Sequence, residues 1–354
     1  MRPVAFFMNG GAGRVICSIP ALEKYAEEIS KDFIIVCEGG MDMFRGHPLL
    51  HERVFESWHK GLFDEKLKDM DIVSPEPYRV WEYYNQKCSL SQAFDILINN
   101  KGVRDLPHPA IILNDEERIT GYNIVKEVKE KTGKDKVIIL QPFGRGVQNM
   151  GAAISDASGR SIEYQNLISF IKKLSKDYAV ILMTEMQFNF ENEGIDFPVA
   201  QPKDINLRMW SGVISAADYF FGCDSVGQHI AYAFDKPATI ILGSTFAENV
   251  SYLDNEKFDI QDMGEGKRIY DPIRIMPDDV AQRNNNGIML MNNAIEDVIV
   301  EALNDNFNKW VSVTKPNNVT DDTLPQLELA PLTKNLKLVP GTTPVDVELK
   351  RGNV

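Results

Sequence analysis

One short turn of the sequence, Asp224 to His229, carries a carboxylate, a hydroxyl, a glycine and an imidazole. It follows the apolar run Tyr219–Cys223 and opens a helix predicted over 227–234. Asp224 or Ser225 suits the N-cap, because a short polar side chain accepts a hydrogen bond from the first helical turn. The remaining N–H groups can bind a phosphate, and His229 lies one turn beyond Ser225 on the same side. The pattern predicts an anion site formed by Asp224, Ser225, Val226, Gly227 and His229, with simple capping and packing as the alternative.

A second turn that could bind a ligand is rich in glycine and follows the first apolar run of the chain. It comprises Asn9, Gly10, Gly11 and Gly13, and a helix is predicted to begin near Val15. Glycines let the backbone take positive φ and let a ligand or a facing loop approach closely. The spacing is not G-x-G-x-x-G, which disfavours a nicotinamide dinucleotide site. We expect this loop to line a cleft and to hold part of a substrate; a tight turn without a ligand is the alternative.

Short apolar runs alternate with amphipathic helical stretches along most of the chain. Such strands, nearly continuous in apolar residues, indicate a parallel sheet covered on both faces, and so a doubly wound α/β fold. The predicted strands are Val4–Met8, Phe33–Cys37, Asp71–Val73, 110–113, 136–143, 178–184, Tyr219–Cys223 and 238–243.

The alternating pattern occurs twice, which predicts two Rossmann-like domains. It starts at Val4, fades through 45–61 and restarts at Lys136, with a helix predicted over 116–133 between the halves. We expect an N-terminal acceptor-side domain over 1–120, a C-terminal domain over 121–310 and an extended tail over 311–354. Ligands of such sheets bind beyond the carboxyl ends of the strands, so two facing domains would enclose a cleft.

Composition places the chain among ordinary globular proteins. Its 354 residues contain 44% hydrophobic and 25% charged residues, and 38 Lys and Arg against 51 Asp and Glu give a net charge of −13. An acidic surface disfavours broad binding to nucleic acid or to anionic membranes, but leaves room for a local basic cleft. Cys17, Cys37, Cys88 and Cys223 show no metal-ligand spacing and predict buried free thiols. We expect no signal peptide, no membrane span and a cytoplasmic location.

Two stretches resemble the signatures of family 9 glycosyltransferases, which include the lipopolysaccharide heptosyltransferases. "DSVGQHIAYAFDKPATIILGST" is similar to the pattern D-(S/T)-G-x-x-H-x-A-x-A-x-x-x-P-x-x-x-x-(F)-G-x-T, with the glycine one place later, at Gly227. Its matching residues are Asp224, Ser225, His229, Ala231, Ala233, Pro237, Gly243 and Thr245. "GGAGRVICSIPALEKYAEE" resembles the N-terminal signature, with Gly13, Val15, Pro20, Ala21 and Leu22 matching. The resemblance extends to about residue 305.

The resemblance implies a glycosyltransferase B-type fold whose C-terminal domain binds a nucleotide-sugar donor at the turn 225–229. In the family, a basic residue after the first strand of that domain contacts the phosphates, and this chain offers Arg145 and Arg160 there. A guanidinium matches phosphate geometry and can stabilise a departing diphosphate without a metal. We therefore expect no metal site and no cofactor, the nucleotide-sugar being a substrate; solvated loop charges are the alternative for both arginines.

The chain departs from the family at the residue after Gly13. Family members have an aspartate there, taken to be the base that deprotonates the acceptor, whereas this chain has Arg14. Arginine cannot act as a base at ordinary pH, but it can bind an anionic acceptor group or the donor phosphates. Glu38 and Asp42, after the second apolar run, are the alternative candidates for the base, with His47 close behind.

Three functions fit these observations. The first is an inverting, metal-independent glycosyltransferase that moves a sugar to a hydroxyl of a glycan, a lipid-linked glycan or another acceptor. Nucleic acid is disfavoured as a partner by the acidic charge, although a modified base stays open as an acceptor. The second is a nucleotide-sugar epimerase or hydrolase on a similar fold. The third, favoured by Arg14 and the unusual tail, is a non-catalytic binding or structural protein.

Overall fold

The computed structural model of the chain describes residues 2–149, 154–268, 287–311 and 336–338. The strands are β1 (Val4–Met8), β2 (Phe33–Cys37), β3 (Val54–Glu56), β4 (Asp71–Val73), β5 (Val137–Gln141), β6 (Val147–Asn149), β7 (Ile154–Asp156), β8 (Ala179–Leu182), β9 (Ala200–Pro202), β10 (Tyr219–Cys223), β11 (Ala238–Leu242), β12 (Phe258–Asp262) and β13 (Leu336–Leu338). The helices are α1 (Ala12–Glu28), α2 (Trp81–Tyr84), α3 (Leu90–Asn99), α4 (Asp115–Thr132), α5 (Tyr164–Leu174), α6 (Leu207–Ala216), α7 (Val226–Ala233), α8 (Ala247–Val250) and α9 (Asn293–Trp310).

The N-terminal domain contains a four-stranded parallel sheet in the order β3-β2-β1-β4. Phe6 lies opposite Ile35 on β2 and Val73 on β4. Phe6 and Ile35 are buried in one cluster with residues of α1 and α3, which pack on each other. Because β1 lies between β2 and β4, the loops after these three strands leave the sheet at the same edge.

The C-terminal domain contains a seven-stranded sheet in the order β12-β11-β10-β5-β8-β9-β13. All its pairings are parallel except that of β13 with β9. β5, β10 and β11 are buried along their whole length, because α5 and α9 pack on one face and α4, α6 and α7 on the other. A sheet covered on both faces explains the continuous apolar runs. The predicted fold class, two doubly wound α/β domains, is confirmed.

The predicted strand at 110–113 is wrong. This apolar run is extended chain without a sheet partner, and it leads into α4. Ile111 is buried against the core, and the Ile112 carbonyl accepts a hydrogen bond from the Arg208 guanidinium. In this run, burial accommodates the apolar side chain of Ile111, and a side-chain donor in place of a neighbouring strand satisfies the Ile112 carbonyl. The sequence also gave no indication of β3, β6, β7, β9 and β12, most of which are short or partly polar.

The helix between the two halves is α4, one residue longer at its start than predicted. Asn114 accepts a hydrogen bond from the Glu117 N–H, Glu117 accepts one from the Asn114 N–H, and the helix ends at Gly133 with φ +67°. The predicted domain boundary at 120/121 falls inside this helix, which packs on α6 of the second domain. Of the predicted tail, residues 336–338 pair with β9, whereas 312–335 and 339–354 lie outside the described residues.

The contact between α4 and α6 is close enough to require glycine on both helices. A Cβ atom at Gly212 would lie 2.1 Å from the Glu117 carbonyl oxygen, and one at Gly121 would lie 2.2 Å from the Gly212 carbonyl carbon. Beside this crossing, Arg208 donates from Nε to Glu117 Oε1 at 2.8 Å, and both residues are buried. The crossing therefore determines how α4 lies on the second sheet.

Replacing Gly212 by alanine should destabilise the protein. The added methyl group has no space against the α4 backbone, so we expect the free energy of unfolding to fall by about 1–3 kcal/mol. Urea denaturation followed by circular dichroism measures the change. Gly102→Ala is the matched control, because nothing lies within 4 Å of its Cβ position. Equal stability of the two variants would contradict the close helix crossing.

Candidate functional site

The start of α7 is partly occupied by a side chain of the same domain. Gln141, at the end of β5, accepts a hydrogen bond from the Gly227 N–H at 2.9 Å and donates one to Ser225 Oγ at 3.1 Å. A helix start has four N–H groups without intrahelical partners, and Gln141 satisfies one of them. A Cβ atom at Gly227 would lie 2.3 Å from Gln141 Oε1, which explains why the glycine stands at this place.

Asp224 binds neighbouring side chains and does not cap α7. Ser225 occupies the N-cap position, without a capping hydrogen bond from its side chain. Asp224 is 4% exposed, and its Oδ1 accepts a hydrogen bond from Gln228 Nε2 at 2.7 Å. Its Oδ2 lies 3.8 Å from Nη1 of Arg160, whose positive charge compensates the buried carboxylate. Asp224 thus connects the first turn of α7 to the loop that carries Arg160.

Asp156 determines the shape of the loop that carries Arg160. Its carboxylate accepts hydrogen bonds from the N–H and hydroxyl of both Ser158 and Ser161. Burial raises the pKa of Asp156, but the hydrogen bonds from the serines and the charge of Arg160 outweigh it, so the pKa is lowered. Ser161 Oγ also accepts a hydrogen bond from the Gly144 N–H at 3.0 Å. The loop is therefore fixed to the segment after β5.

The two predicted arginines lie on adjacent segments. Arg145 follows β5 and is exposed, whereas the Arg160 side chain is 32% exposed. A Cβ atom at Gly144 would lie 3.9 Å from Nη2 of Arg160, and one at Gly11 would lie 3.3 Å from Nη1 of Arg145. Arg145 therefore lies against the glycine turn of the N-terminal domain, and Arg160 lies beside Asp224.

A cavity of 120 Å³ lies beside this loop, within the C-terminal domain. It is lined by Asp156, Ser161 and Glu163 on one side and by residues 287–289 on the other. Burial raises the pKa of Glu163, and the charge of Asp156 raises it further. The cavity is thus polar, with acidic groups on its wall.

The glycine turn of the N-terminal domain packs directly on the start of α7. A Cβ atom at Gly13 would lie 3.0 Å from His229 Cδ2 and 3.5 Å from Val226 Cα. Gly10 takes φ +92°, a conformation that side chains disfavour. The first turns of α1 and α7 therefore meet at van der Waals distance across the domain interface. Asn9, in the same turn, has a buried Oδ1 without a hydrogen-bond partner among the described residues.

His229 is buried at this interface. Its Nδ1 lies 2.7 Å from the Tyr252 hydroxyl and 3.6 Å from Cys17 Sγ, and the residue is 6% exposed. Burial lowers the pKa of His229 to about 4, although the charge of Asp224 acts in the opposite direction. The imidazole is therefore neutral at pH 7 and contributes packing and a hydrogen bond, not a positive charge.

Arg14 binds groups of its own domain. It is 8% exposed, and its guanidinium donates to Glu76 Oε1 at 3.3 Å and to the Pro75 carbonyl at 3.1 Å. The guanidinium carbon lies 4.9 Å from the centroid of the Tyr78 ring and 5.6 Å from that of Phe94. Its Nε has no hydrogen-bond partner in the described part of the chain.

The two carboxylates predicted as bases lie on the exposed loop after β2. Glu38 is exposed, and the next residue approaches the glycine turn, because a Cβ atom at Gly39 would lie 3.3 Å from the Gly10 carbonyl oxygen. Asp42 is exposed and pairs with Arg45. His47 is buried, with Nε2 2.9 Å from Glu23 Oε1, and has a structural role. The roles of Glu38 and Asp42 stay predictions.

Sequence reasoning missed Gln141, Asp156, Glu76 and Tyr78. Gln141 is the polar last residue of an otherwise apolar strand, and "SPEPYR" follows β4 directly. Both lie at carboxyl ends of parallel strands, where ligand groups collect, so position alone could have identified them. Asp156 is the last residue of β7, a short strand that the sequence pattern did not predict. The described residues include no group of three or more His, Cys, Asp or Glu arranged to hold a metal.

The four cysteines are free and buried, as predicted. Burial raises the pKa of the Cys17, Cys37 and Cys88 thiols to about 12, which makes them unreactive at neutral pH. Of the helices that the structure describes, none has the length and apolar character needed to cross a bilayer.

No protein-family model matches the chain, and no curated protein does. Solved structures do resemble it. A glycosyl transferase family 9 protein from Veillonella parvula aligns with a TM-score of 0.58 at 9% identity, covering 87% of this chain and 98% of that protein. TibC of enterotoxigenic E. coli, an iron-containing dodecameric glycosyltransferase, aligns with a TM-score of 0.53 at 11% identity, covering 86% of this chain and 76% of TibC.

The chain therefore has the two-domain glycosyltransferase B-type fold, with two Rossmann-like domains that meet at the carboxyl ends of their strands. One of its structural neighbours is a family 9 glycosyltransferase and another is a glycosyltransferase, which confirms the resemblance recognised in the sequence at the level of the fold. Identities near 10% establish the fold alone.

The buried His229 should make stability depend on pH. Its imidazole titrates near 6.5 when unfolded and near 4 when folded, so the unfolded state binds more protons between these values. The free energy of unfolding therefore falls as the pH decreases from 6.5 toward 4, and His229 accounts for about 2 kcal/mol of the loss between pH 7 and 5.

Urea denaturation of the wild type and of His229→Gln at pH 7 and pH 5 measures this contribution. Glutamine retains an acceptor for the Tyr252 hydroxyl, and titration of the other groups is common to both proteins. We expect a pH dependence about 2 kcal/mol smaller in the variant. The same pH dependence in both proteins would contradict the lowered pKa of His229, because it would mean that the folded protein already has a protonated His229 at pH 5.

Proposed function

We propose that the chain is a glycosyltransferase that moves a sugar from a nucleotide-diphosphate sugar to an acceptor hydroxyl. The observation that carries this proposal is the convergence of Arg145, Arg160 and the first turn of α7 opposite the glycine turn of the other domain. Two guanidiniums and a helix start form an anion site at the interdomain position that the fold uses for ligands. The two structural neighbours described above, both glycosyltransferases, agree with it.

In the proposed reaction the acceptor hydroxyl attacks the anomeric carbon of the donor sugar. A carbon–oxygen bond to the acceptor forms as the bond to the diphosphate breaks, and a single displacement inverts the anomeric configuration. The leaving diphosphate develops charge that Arg145 and Arg160 stabilise, because a fixed guanidinium is complementary to phosphate oxygens. We propose that these arginines supply the positive charge and that no metal ion or other cofactor is required.

The acceptor is proposed to carry its hydroxyl on a glycan or a lipid-linked glycan, and the reaction to take place in the cytoplasm. Within the glycine turn, only Arg145 Nη1 lies within 4 Å of the Cβ position of Gly11, so a sugar ring can approach that backbone when the exposed arginine side chain moves aside, whereas Gly13 is covered by His229 and Val226. The resemblance to heptosyltransferases favours a heptose or a hexose as the transferred sugar.

Replacing Arg145 by alanine should weaken nucleotide binding. The side chain is exposed, so the fold is unaffected, and loss of a charge-assisted contact to phosphate weakens binding about 10–100-fold. Isothermal titration calorimetry with ADP, UDP, GDP and CDP measures the affinity. Arg118→Ala, which removes an exposed guanidinium from α4, is the matched control and should bind like the wild type.

Absence of binding of all four nucleotides by the wild type would contradict the proposed function. Equal affinities of Arg145→Ala and the wild type would show that the phosphates lie elsewhere. Adding EDTA tests the proposed metal independence, and loss of binding in EDTA would contradict it.

A non-catalytic nucleotide-binding protein is the second candidate, favoured by two observations. Gln141 accepts a hydrogen bond from one N–H group at the start of α7, so that group is not free for a phosphate, and Arg14 stands in place of the expected base. Such a protein would bind the nucleotide-sugar without converting it, so following the donor by chromatography distinguishes the two candidates.

A further inference from the structure

Arg14 stands at the start of α1 where a carboxylate is expected, and its guanidinium binds a different carboxylate, that of Glu76. Arg14 Nη1 lies 3.3 Å from Glu76 Oε1, and Arg14 is 8% exposed while the Glu76 side chain is 24% exposed. Arg14 is thus buried behind Glu76, and the glutamate is the member of the pair that can reach a ligand.

Glu76 lies at the edge of the sheet where a ligand is expected. It follows β4, which pairs in parallel with β1, and the glycine turn follows β1. The carboxyl ends of parallel neighbours meet at one edge, so Glu76 and the glycine turn lie side by side. Pro75 and Pro77 flank the glutamate and restrict its backbone, and the Pro75 carbonyl accepts a second hydrogen bond from Arg14.

The loop with Glu76 also faces the donor side of the interface. Tyr78, two residues beyond Glu76, has the Arg14 guanidinium 4.9 Å from its ring centroid. Gly13, which directly precedes Arg14, lies against the first turn of α7 on the other domain, because a Cβ atom at Gly13 would be 3.5 Å from Val226 Cα. Arg14 and the loop that it binds are therefore beside the first turn of α7.

We propose that Glu76 is the carboxylate that accepts the proton of the attacking hydroxyl, and that Arg14 is the residue that positions it. This inference rests on the proposed function. The proton moves to Glu76 as the hydroxyl oxygen bonds to the anomeric carbon, and the electron pair of the broken bond leaves with the diphosphate. The base would thus come from the loop after β4 instead of from α1.

Hydrolysis of the donor, with water as the acceptor, tests the proposal without knowledge of the natural acceptor. ADP-heptose, ADP-glucose, UDP-glucose and GDP-mannose are incubated with the protein, and the released nucleoside diphosphate is measured. We expect Glu76→Gln to release it about 100-fold more slowly, because a general base contributes about that factor or more. The donor Kd, measured by calorimetry, should change less than about twofold, since Glu76 does not contact the phosphates in this mechanism.

Azide distinguishes a base from a merely structural residue. Azide attacks without losing a proton, so it needs no base and forms a glycosyl azide together with the nucleoside diphosphate. We expect sodium azide to restore release by Glu76→Ala, with the glycosyl azide detected by mass spectrometry, and not to accelerate the wild type. Glu82→Gln, which removes a carboxylate from nearby α2, is the matched control and should hydrolyse the donor like the wild type.

Each outcome decides for or against the proposal. Normal turnover by Glu76→Gln, or loss of turnover in Glu38→Gln or Asp42→Asn instead, would overturn the role of Glu76 and leave the proposed function intact. A slow Glu76→Ala that azide does not rescue would make Glu76 structural. A wild type that binds donors but never cleaves them overturns the inference and supports the non-catalytic candidate, whereas a wild type that binds none overturns the proposed function itself.

Discussion

The structure depends on the contact between the first turns of α1 and α7. Gly13 lies against Val226 and His229 at a distance that leaves no space for a side chain. This contact joins the two domains at the carboxyl ends of their sheets. It also determines which groups meet there, because Arg14 follows Gly13 directly and Asp224 directly precedes the N-cap residue of α7.

Charge at this interface is arranged in two layers. In the C-terminal domain, the buried carboxylate of Asp224 lies near Arg160, and Asp156 fixes the loop that carries that arginine. In the N-terminal domain, the buried Arg14 binds the more exposed Glu76. In each layer a buried charge has a partner of opposite sign, as low-dielectric surroundings require. Arg145 is exposed and Glu76 is partly exposed, and in the proposed reaction they are the cation beside the departing diphosphate and the anion beside the attacking hydroxyl.

The sequence predicted the elements whose pattern is local. The buried strands β5, β10 and β11, the helices α4 and α7 and the glycine turn all follow from apolar periodicity and from residue types at their ends. The run at 110–113 has the composition of a strand. It has no neighbouring strand, and the Ile112 carbonyl instead accepts a hydrogen bond from Arg208, which is distant in sequence. The hydrogen bond from the Gly227 N–H to Gln141 at the start of α7 could not be predicted from local sequence either, because it joins residues 86 positions apart. The ion pair between Arg14 and Glu76 could not be predicted for the same reason, because the two residues are 62 positions apart.

The most direct test of the account is a crystal structure of the protein with a bound nucleoside diphosphate. The account predicts diphosphate oxygens within hydrogen-bond distance of the Arg160 guanidinium and the first turn of α7, with the terminal phosphate directed toward Glu76. A nucleotide bound in the cavity beside Glu163, or anywhere else with Arg145 and Arg160 free of phosphate, would contradict it.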